Sequence, residues 1–259
     1  MWSAAKLKIG IIIPARIESE RLPKKVLRDF HGKSMIEHTW QRTQLLSHEI
    51  ETIIATDSDE IISLAAKFNA RTIKTRSDHP NGMSRAKEAL SKLDWDYVLI
   101  LQADEVLIVP EDLEKLINTV KTQPDFEFFN LITRIKQISE IEDRNIVKCV
   151  LKQDKSIMHI FRKSGFVFND ETKLRIIKKI CGTFAISRKL LLATNFQNSE
   201  LISLKESIEQ MAIIEYGKNI LSVEIENEFP SVNTENEANN VERIMLADTL
   251  QKEIIKKYI

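Results

Sequence analysis

The sequence predicts an α/β protein with a mostly parallel central sheet and an inserted lobe built on a mixed sheet. In the first half of the chain, short continuous apolar runs alternate with helical patterns. Continuous apolar strands are typical of parallel sheets that are covered on both faces. In the second half, the strand-like segments at 126–136, 146–151 and 157–162 indicate a mixed sheet. No linker rich in Gly, Ser or Pro is present, so we expect a single domain over residues 1–259.

The first half is predicted to alternate strands with helices. A polar loop is predicted for 14–33, and Ser58 or Asp59 is a candidate N-cap of the second helix. The predicted strands are 8–13, 52–55, 71–73 and 97–101, and the predicted helices are 35–46, 59–68, 82–93 and 111–121.

The second half is predicted to add strands 181–187 and 220–226, a helix at 204–216 and a closing helix at 236–258. The segment 163–178 is polar, and we expect it to be irregular.

Composition excludes several classes of protein. Lys plus Arg number 38 and Asp plus Glu number 38. The chain therefore lacks the basic excess of a nucleic-acid or acidic-membrane binder.

Cys149 and Cys181 lie in apolar runs without a CxxC pair, which disfavours a zinc site. The apolar run near the N-terminus is too short for a signal peptide or a membrane span, so we expect a cytoplasmic protein.

Parallel sheets bind ligands beyond the carboxyl ends of their strands, which points to 14–28, 56–59 and 102–106. The segment 14–28 concentrates cations directly after a buried strand. Arg and Lys suit phosphate oxygens, although Glu18 and Glu20 offset part of the charge and a solvated loop is the alternative. The cations are Arg16, Arg21, Lys24, Lys25 and Arg28.

Carboxylates follow the strand at 97–101, in the sequence Gln102-Ala103-Asp104-Glu105. Mg²⁺ prefers one or two carboxylates together with phosphate oxygens and water, so Asp104 is a candidate ligand. The alternatives are a polar strand end or a helix cap. No GxGxxG, GxxxxGK[ST], HExxH or GxSxG motif occurs, which disfavours dinucleotide, P-loop, zincin and hydrolase sites.

Two further polar segments are candidates for binding or capping. In 78–85, Ser84 and Arg85 lie near a helix start and are placed to contact a base or a phosphate. His79 has no evident acid or thiol partner, so we interpret it as structural or hydrogen-bonding. Asn233 or Thr234 is a candidate N-cap.

Together these segments resemble the 3-deoxy-manno-octulosonate cytidylyltransferases (CMP-Kdo synthetases) of the nucleotide-sugar cytidylyltransferase family. The resemblance covers nearly the whole chain and is most specific in the first 110 residues. Its motifs are IIPAR-x-x-S-x-RLPGK-x-L, ATD, TR-x-DH-x-SG-x-x-R and QGDEP. The first motif is matched by residues 12–16, Ser19, 21–25 and Leu27, and the second by residues 55–57. The fourth is matched by residues 102–106. The third is matched by Thr75, Arg76, Asp78, His79, Gly82 and Arg85.

The resemblance implies a Rossmann-like nucleotide-diphospho-sugar transferase fold, the substrates CTP and a sugar acid, the cofactor Mg²⁺, and a homodimer. In that reaction the anomeric hydroxyl attacks the α-phosphate of CTP and pyrophosphate leaves. It also implies a nucleotide-binding half at about 7–125, a sugar-binding and dimerisation lobe at about 126–235, and a closing helix at about 236–259.

The resemblance assigns roles to single residues. Arg16, Lys25 and Asp104 would be catalytic, and Asp104 and Asn233 would hold Mg²⁺. The sugar acid would contact Arg16, Lys179 and Gln210. The nucleotide would contact Pro14, Ala15, Arg16, Ser19, Arg21, Lys25, Asp57, Arg76, Gly82, Arg85 and Gln102.

The chain departs from the family pattern at several positions, two of them in the sugar pocket. The departures are Lys24 and Ala103 for Gly, Val106 for Pro, Asn233 for Asp, Ala212 for Arg, and Lys179 or Ile180 for His. We therefore expect a related sugar acid, such as an amino-modified Kdo, used for a surface polysaccharide. The alternatives are a nucleotidyltransferase with another sugar or triphosphate, a metal-dependent glycosyltransferase of similar fold, and a non-catalytic CTP-binding protein.

Overall fold

The structure, a computed structural model, describes residues 7–19, 21–47, 50–195, 202–227 and 229–258. It divides into two compact units. The first unit holds the described residues up to Glu114 and those from Phe229 onward, and the second holds those between them. In the described part of the chain, no helix is long and apolar enough to cross a bilayer.

The first unit is built around a four-stranded parallel sheet. Its elements up to the second unit are β1 (Ile9–Ala15), a 3₁₀ turn (Lys25–Leu27), β2 (Asp29–Phe30), β3 (Lys33–Ser34), α1 (Met35–Thr43), β4 (Glu51–Thr56), α2 (Asp59–Lys67), β5 (Arg71–Lys74), α3 (Gly82–Ser91), β6 (Tyr97–Ile100) and α4 (Pro110–Thr122), whose end lies in the second unit. The strand order is β6-β1-β4-β5, and every pair is parallel. All seven residues of β1 are buried, as expected for the middle of such a sheet.

The second unit is built around a mixed sheet, which confirms the prediction for this half. Strand β7 pairs antiparallel with β10 and parallel with β11, while β8 pairs antiparallel with β10 and β9. Its elements are β7 (Phe128–Arg134), α5 (Ile138–Glu142), β8 (Lys148–Leu151), β9 (Ile157–Phe161), α6 (Asp170–Ile176), β10 (Lys178–Ser187), α7 (Arg188–Ala193), α8 (Ile202–Lys205), α9 (Met211–Glu215) and β11 (Leu221–Glu224).

The chain then returns to the first unit with α10 (Glu235–Ala247) and α11 (Thr249–Ile255). A buried apolar cluster holds α10 against the segment after β6. Its members include Phe30, Met35, Val106, Leu107, Val232, Ala238, Val241 and Met245.

Four predictions of local structure were wrong. The predicted loop 14–33 contains the hairpin β2–β3, whose turn is closed by Asp29 accepting from the Gly32 amide, with Gly32 at φ +86. The predicted irregular segment 163–178 contains α6, which Asn169 caps. The predicted helix at 204–216 is two short helices, α8 and α9. The closing helix is interrupted at Asp248, which is extended and caps α11 with its side chain.

Candidate active site

The loops that follow β1, β4 and β6 leave the sheet at one edge, because these neighbouring strands are parallel. Each loop carries residues predicted to bind ligand. Pro14 and Ala15 are buried at the end of β1, whereas Arg16 is exposed and Ser19 half-buried in the loop beyond it.

A half-buried ion pair joins two of these loops. Lys25 Nζ lies 2.6 Å from Asp104 Oδ2, and the two side chains are 17% and 19% exposed. The same ammonium donates to the Val232 carbonyl at 3.0 Å and to Asn233 Oδ1 at 3.2 Å. The Val232 amide in turn donates to the Asp104 carbonyl at 3.1 Å. The structure therefore brings together three residues predicted for catalysis or metal binding: Lys25, Asp104 and Asn233.

Asn233 belongs to this cluster and does not cap the helix that follows it. Thr234 is the N-cap of α10, with its side chain accepting from the Glu237 amide in a reciprocal capping box. Asn233 Oδ1 instead accepts from Arg21 Nη2 at 3.2 Å as well as from Lys25. Of the two candidate caps, Thr234 is confirmed, and the amide oxygen of Asn233 faces two cations.

Other cations of the 14–28 loop are also tied to neighbouring elements. Arg28 forms an ion pair with Glu235 and donates to Asn239 Oδ1 at 3.0 Å. Lys24 adopts a left-handed conformation at φ 53, which Gly adopts with less strain, and it pairs with Glu60. Within the described part of the chain, Arg16 makes no ion pair. Four of the five cations of the loop thus contact neighbouring elements, whereas Arg16 is exposed.

Arg85 connects the ends of β4 and β5 to the start of α3. It is 4% exposed, and its Nη1 lies 2.8 Å from Asp57 Oδ1, 2.7 Å from Thr75 Oγ1 and 3.2 Å from the Arg76 carbonyl. These contacts give Arg85 a structural role in addition to the predicted role in nucleotide binding.

Gly82 lies close to two other predicted nucleotide-binding residues, Pro14 and Gln102. A Cβ at Gly82 would lie 3.1 Å from Pro14 Cγ and 3.2 Å from the side-chain amide of Gln102. These distances are tighter than ordinary van der Waals contact, so a larger residue would push Pro14 or Gln102 away.

His79 has a carboxylate partner, Glu88, that was not predicted from the sequence. His79 is 6% exposed, and its Nε2 lies 2.6 Å from Glu88 Oε2, which also accepts from the Arg76 amide at 3.1 Å. Although burial opposes it, these hydrogen bonds lower the pKa of Glu88 below its usual value. The expectation that His79 lacks an acid partner was wrong, and its hydrogen-bonding role is confirmed. The side chain of Arg76 is exposed and pairs with Asp78.

Both residues assigned only to sugar binding, Lys179 and Gln210, belong to the second unit. Gln210 is buried and donates to Asn130 Oδ1 at 3.0 Å. Lys179 lies half-buried in β10, opposite Thr133 and Lys148. Ala212 and Ile180 are also buried. The sugar-binding roles stay predictions.

The side-chain oxygen atoms around Lys25 suit a hard cation that is also bound by phosphate oxygens. The Asp104 carboxylate and the Asn233 amide oxygen both accept from one ammonium group, so they converge on a single positive charge. Among the described residues, no three His, Cys, Asp or Glu side chains converge as a metal cage. Mg²⁺ is commonly held by one or two protein oxygens plus substrate phosphates, and this set meets that requirement.

The chain is similar to known cytidylyltransferases. The cytidylyltransferase family model matches residues 10–220. The 3-deoxy-manno-octulosonate cytidylyltransferase of Solibacter usitatus is 32% identical over 244 residues, which cover 94% of this chain and 97% of the relative. That of Escherichia coli is 30% identical over 227 residues, covering 88% and 92%.

Solved structures share the fold. A CMP:2-keto-3-deoxy-manno-octonic acid synthetase complexed with CTP matches with a TM-score of 0.85 at 29% identity, covering 92% of this chain and 98% of that one. A cytidylyltransferase from Leptospira borgpetersenii matches with a TM-score of 0.64 at 14% identity, covering 96% and 93%. These matches confirm the predicted α/β fold class.

Proposed function

Because the chain belongs to the cytidylyltransferase family, we propose that it transfers CMP from CTP to the anomeric hydroxyl of a sugar acid and releases pyrophosphate. The observation that carries this proposal is the Lys25–Asp104–Asn233 cluster at the carboxyl edge of the parallel sheet. The relatives named for this activity match the chain over most of its length.

Arg16, Arg21 and Lys25 would bind the triphosphate and neutralise the charge that develops on the leaving pyrophosphate. When bound, Mg²⁺ would be held by Asp104 and Asn233 and would add further charge stabilisation there. The Thr75–Arg76 segment would position the nucleotide, because Arg85 holds the Thr75 hydroxyl and the Arg76 carbonyl and Glu88 holds the Arg76 amide. Gly82 would keep Pro14 and Gln102 close to the nucleotide.

The substrate we propose is a sugar acid of the 3-deoxy-manno-octulosonate class that differs from Kdo itself. Ala212 and the residues at 179–180 replace an Arg and a His that the family pattern has in the sugar pocket. Losing two cationic or hydrogen-bonding groups favours a different substituent, such as an amino group. We further propose that the protein works as a homodimer in the cytoplasm and supplies a surface polysaccharide.

The test is pyrophosphate release from each of the four nucleoside triphosphates with Mg²⁺ and a panel of sugar acids that includes Kdo and amino-modified Kdo. We expect release only with CTP, only when a sugar acid is present, and faster with a modified acid than with Kdo. Preference for another triphosphate, or CTP binding without turnover across the panel, would contradict the proposal. A glycosyltransferase would instead consume a nucleotide sugar without releasing pyrophosphate.

A further inference from the structure

We infer that a divalent cation joins this site only together with a triphosphate, because the protein's own cluster is cationic and already neutralises its single carboxylate. The cluster consists of Arg21, Lys25, Asp104 and Asn233. This inference rests on the proposed function and adds to it the order in which ligands bind.

The charge of the cluster is the first argument. Arg21 and Lys25 are cations, Asp104 is an anion, and Asn233 is neutral, so the four side chains in contact sum to one positive charge. The Glu237 carboxylate is not one of these four side chains: its Oε2 accepts from the backbone amides of Asn233 and Thr234 at the start of α10, where the helix N-terminus stabilises its negative charge. Divalent cations are held by ligand charge, and a cationic cluster disfavours them.

The ion pair is the second argument. Lys25 lies 2.6 Å from Asp104 in a half-buried setting, where charges attract more strongly than in bulk water. A free divalent cation would have to displace this ammonium without bringing any new acceptor for it. In the protein without ligands, Asp104 is therefore paired with Lys25 and is not available to a metal ion.

The amide oxygen of Asn233 is the third argument. A carbonyl oxygen has two lone pairs, and Asn233 Oδ1 accepts from Arg21 and from Lys25. Its acceptor capacity is filled by the two cations, which it holds side by side. In the protein without ligands, Asn233 thus acts as a positioning residue for phosphate-binding groups.

A triphosphate reverses this balance. It carries several negative charges, so it binds the cationic cluster without needing a metal, and its oxygens give Lys25 and Arg21 new partners. Asp104 then becomes available, and the phosphate oxygens complete the oxygen ligands that Mg²⁺ prefers. The metal therefore joins the site with the triphosphate and not before it.

Two titrations of the intact chain test the inference. The first measures binding of Mn²⁺, a paramagnetic substitute for Mg²⁺, to the protein without nucleotide by electron paramagnetic resonance. The second measures binding of inorganic triphosphate in EDTA by calorimetry. We expect the wild-type protein to bind triphosphate in EDTA and to bind Mn²⁺ alone only weakly.

The variant Asn233→Asp adds one negative charge to the cluster with almost no change in shape. We expect its affinity for Mn²⁺ alone to rise and its metal-free affinity for triphosphate to fall, each by roughly tenfold or more. The matched control is Asn239→Asp, which makes the same change on the same segment but next to Arg28. We expect the control to move neither constant by more than about twofold.

The inference is overturned if the wild-type protein binds Mn²⁺ alone as tightly as Asn233→Asp does, or if it binds triphosphate only when a metal is present. Inorganic triphosphate has no base and no acceptor sugar is added. Failure of the cytidylyl-transfer assay therefore leaves both titrations interpretable, and the two proposals fail independently.

Discussion

The ammonium group of Lys25 lies 2.6 Å from the carboxylate of Asp104, although 79 residues separate them in the chain. One comes from the loop after β1 and the other from the turn after β6, and these adjacent parallel strands bring them together. The pair places a carboxylate and a phosphate-binding cation within one hydrogen bond of each other, so the two residues are expected to act on the same ligand.

Asp104→Asn should lower kcat for pyrophosphate release by roughly 100-fold or more, because it removes the carboxylate that would hold Mg²⁺ beside the developing charge. The circular-dichroism spectrum should stay unchanged. Asp94→Asn is the control, since it breaks an exposed ion pair with Lys8 and should leave the rate unaltered. Full activity of Asp104→Asn would remove Asp104 from the metal site.

Arg16→Ala and Lys25→Ala should both weaken CTP binding, but only Lys25→Ala should lower the melting temperature. Arg16 is exposed and makes no ion pair with a described residue, and such a charge contributes little to folding. Lys25 is half-buried, and its loss leaves Asp104 without its cation. Calorimetric CTP titrations and thermal melts measure the two effects. Normal CTP binding by both variants would mean that the loop does not bind phosphate.

Arg85→Ala should reduce the free energy of unfolding by about 3 kcal/mol, because it leaves Asp57 and the Thr75 hydroxyl without a buried partner. Urea denaturation measures this change. Arg76→Ala removes an exposed ion pair with Asp78 and should change stability by less than about 0.5 kcal/mol. If Arg85→Ala is as stable as the wild type while its CTP affinity falls, then Arg85 binds the nucleotide and does not stabilise the fold.

His38 should make the protein less stable in mild acid. It is fully buried between Phe30 and Tyr258, and burial lowers its pKa from 6.5 to about 4. Between these two values the unfolded chain binds a proton that the folded chain does not, so stability falls as the pH falls. The free energy of unfolding should drop by about 2 kcal/mol from about pH 7 to about pH 5.

Urea denaturation at both pH values provides the measurement, and His38→Gln is the control because its side chain does not titrate. The variant should lose this part of the pH dependence, whatever its absolute stability. An equal slope in the two proteins would show that folding does not lower the pKa of His38.

The sequence was most informative where a pattern is local and the core is apolar. Strands β1, β4 and β6 were predicted because continuous apolar runs have few alternatives to a buried parallel strand. The parallel arrangement then placed Lys25 and Asp104 at one edge, and the structure joined them. Ser58, one of two candidate caps, does accept from the Ile61 amide.

The sequence was less informative where short polar residues decide between helix and turn. Asp248 interrupts the closing helix by capping α11, yet its neighbours fit a continuous helical pattern. Asn169 likewise starts α6 within a polar segment. The pairing of His79 with Glu88 spans nine residues across a turn and a helix start, which no periodicity encodes. The choice between Asn233 and Thr234 as the cap depended on contacts with Arg21 and Lys25 from a distant loop.

The positions in the sequence of the hydrogen-bond acceptors for the 14–28 loop have a consequence for how the protein is synthesised. Arg21 and Arg28 find their acceptors among residues 232–239, more than 200 positions later in the chain, and Lys25 finds two of its three there. A ribosome must therefore synthesise the whole second unit before the loop acquires these acceptors. A nascent chain that contains β1 to β6 and the turn after β6 already holds Asp104 for Lys25 and Glu60 for Lys24, but Arg21 and Arg28 still lack the acceptors that they have in the finished site.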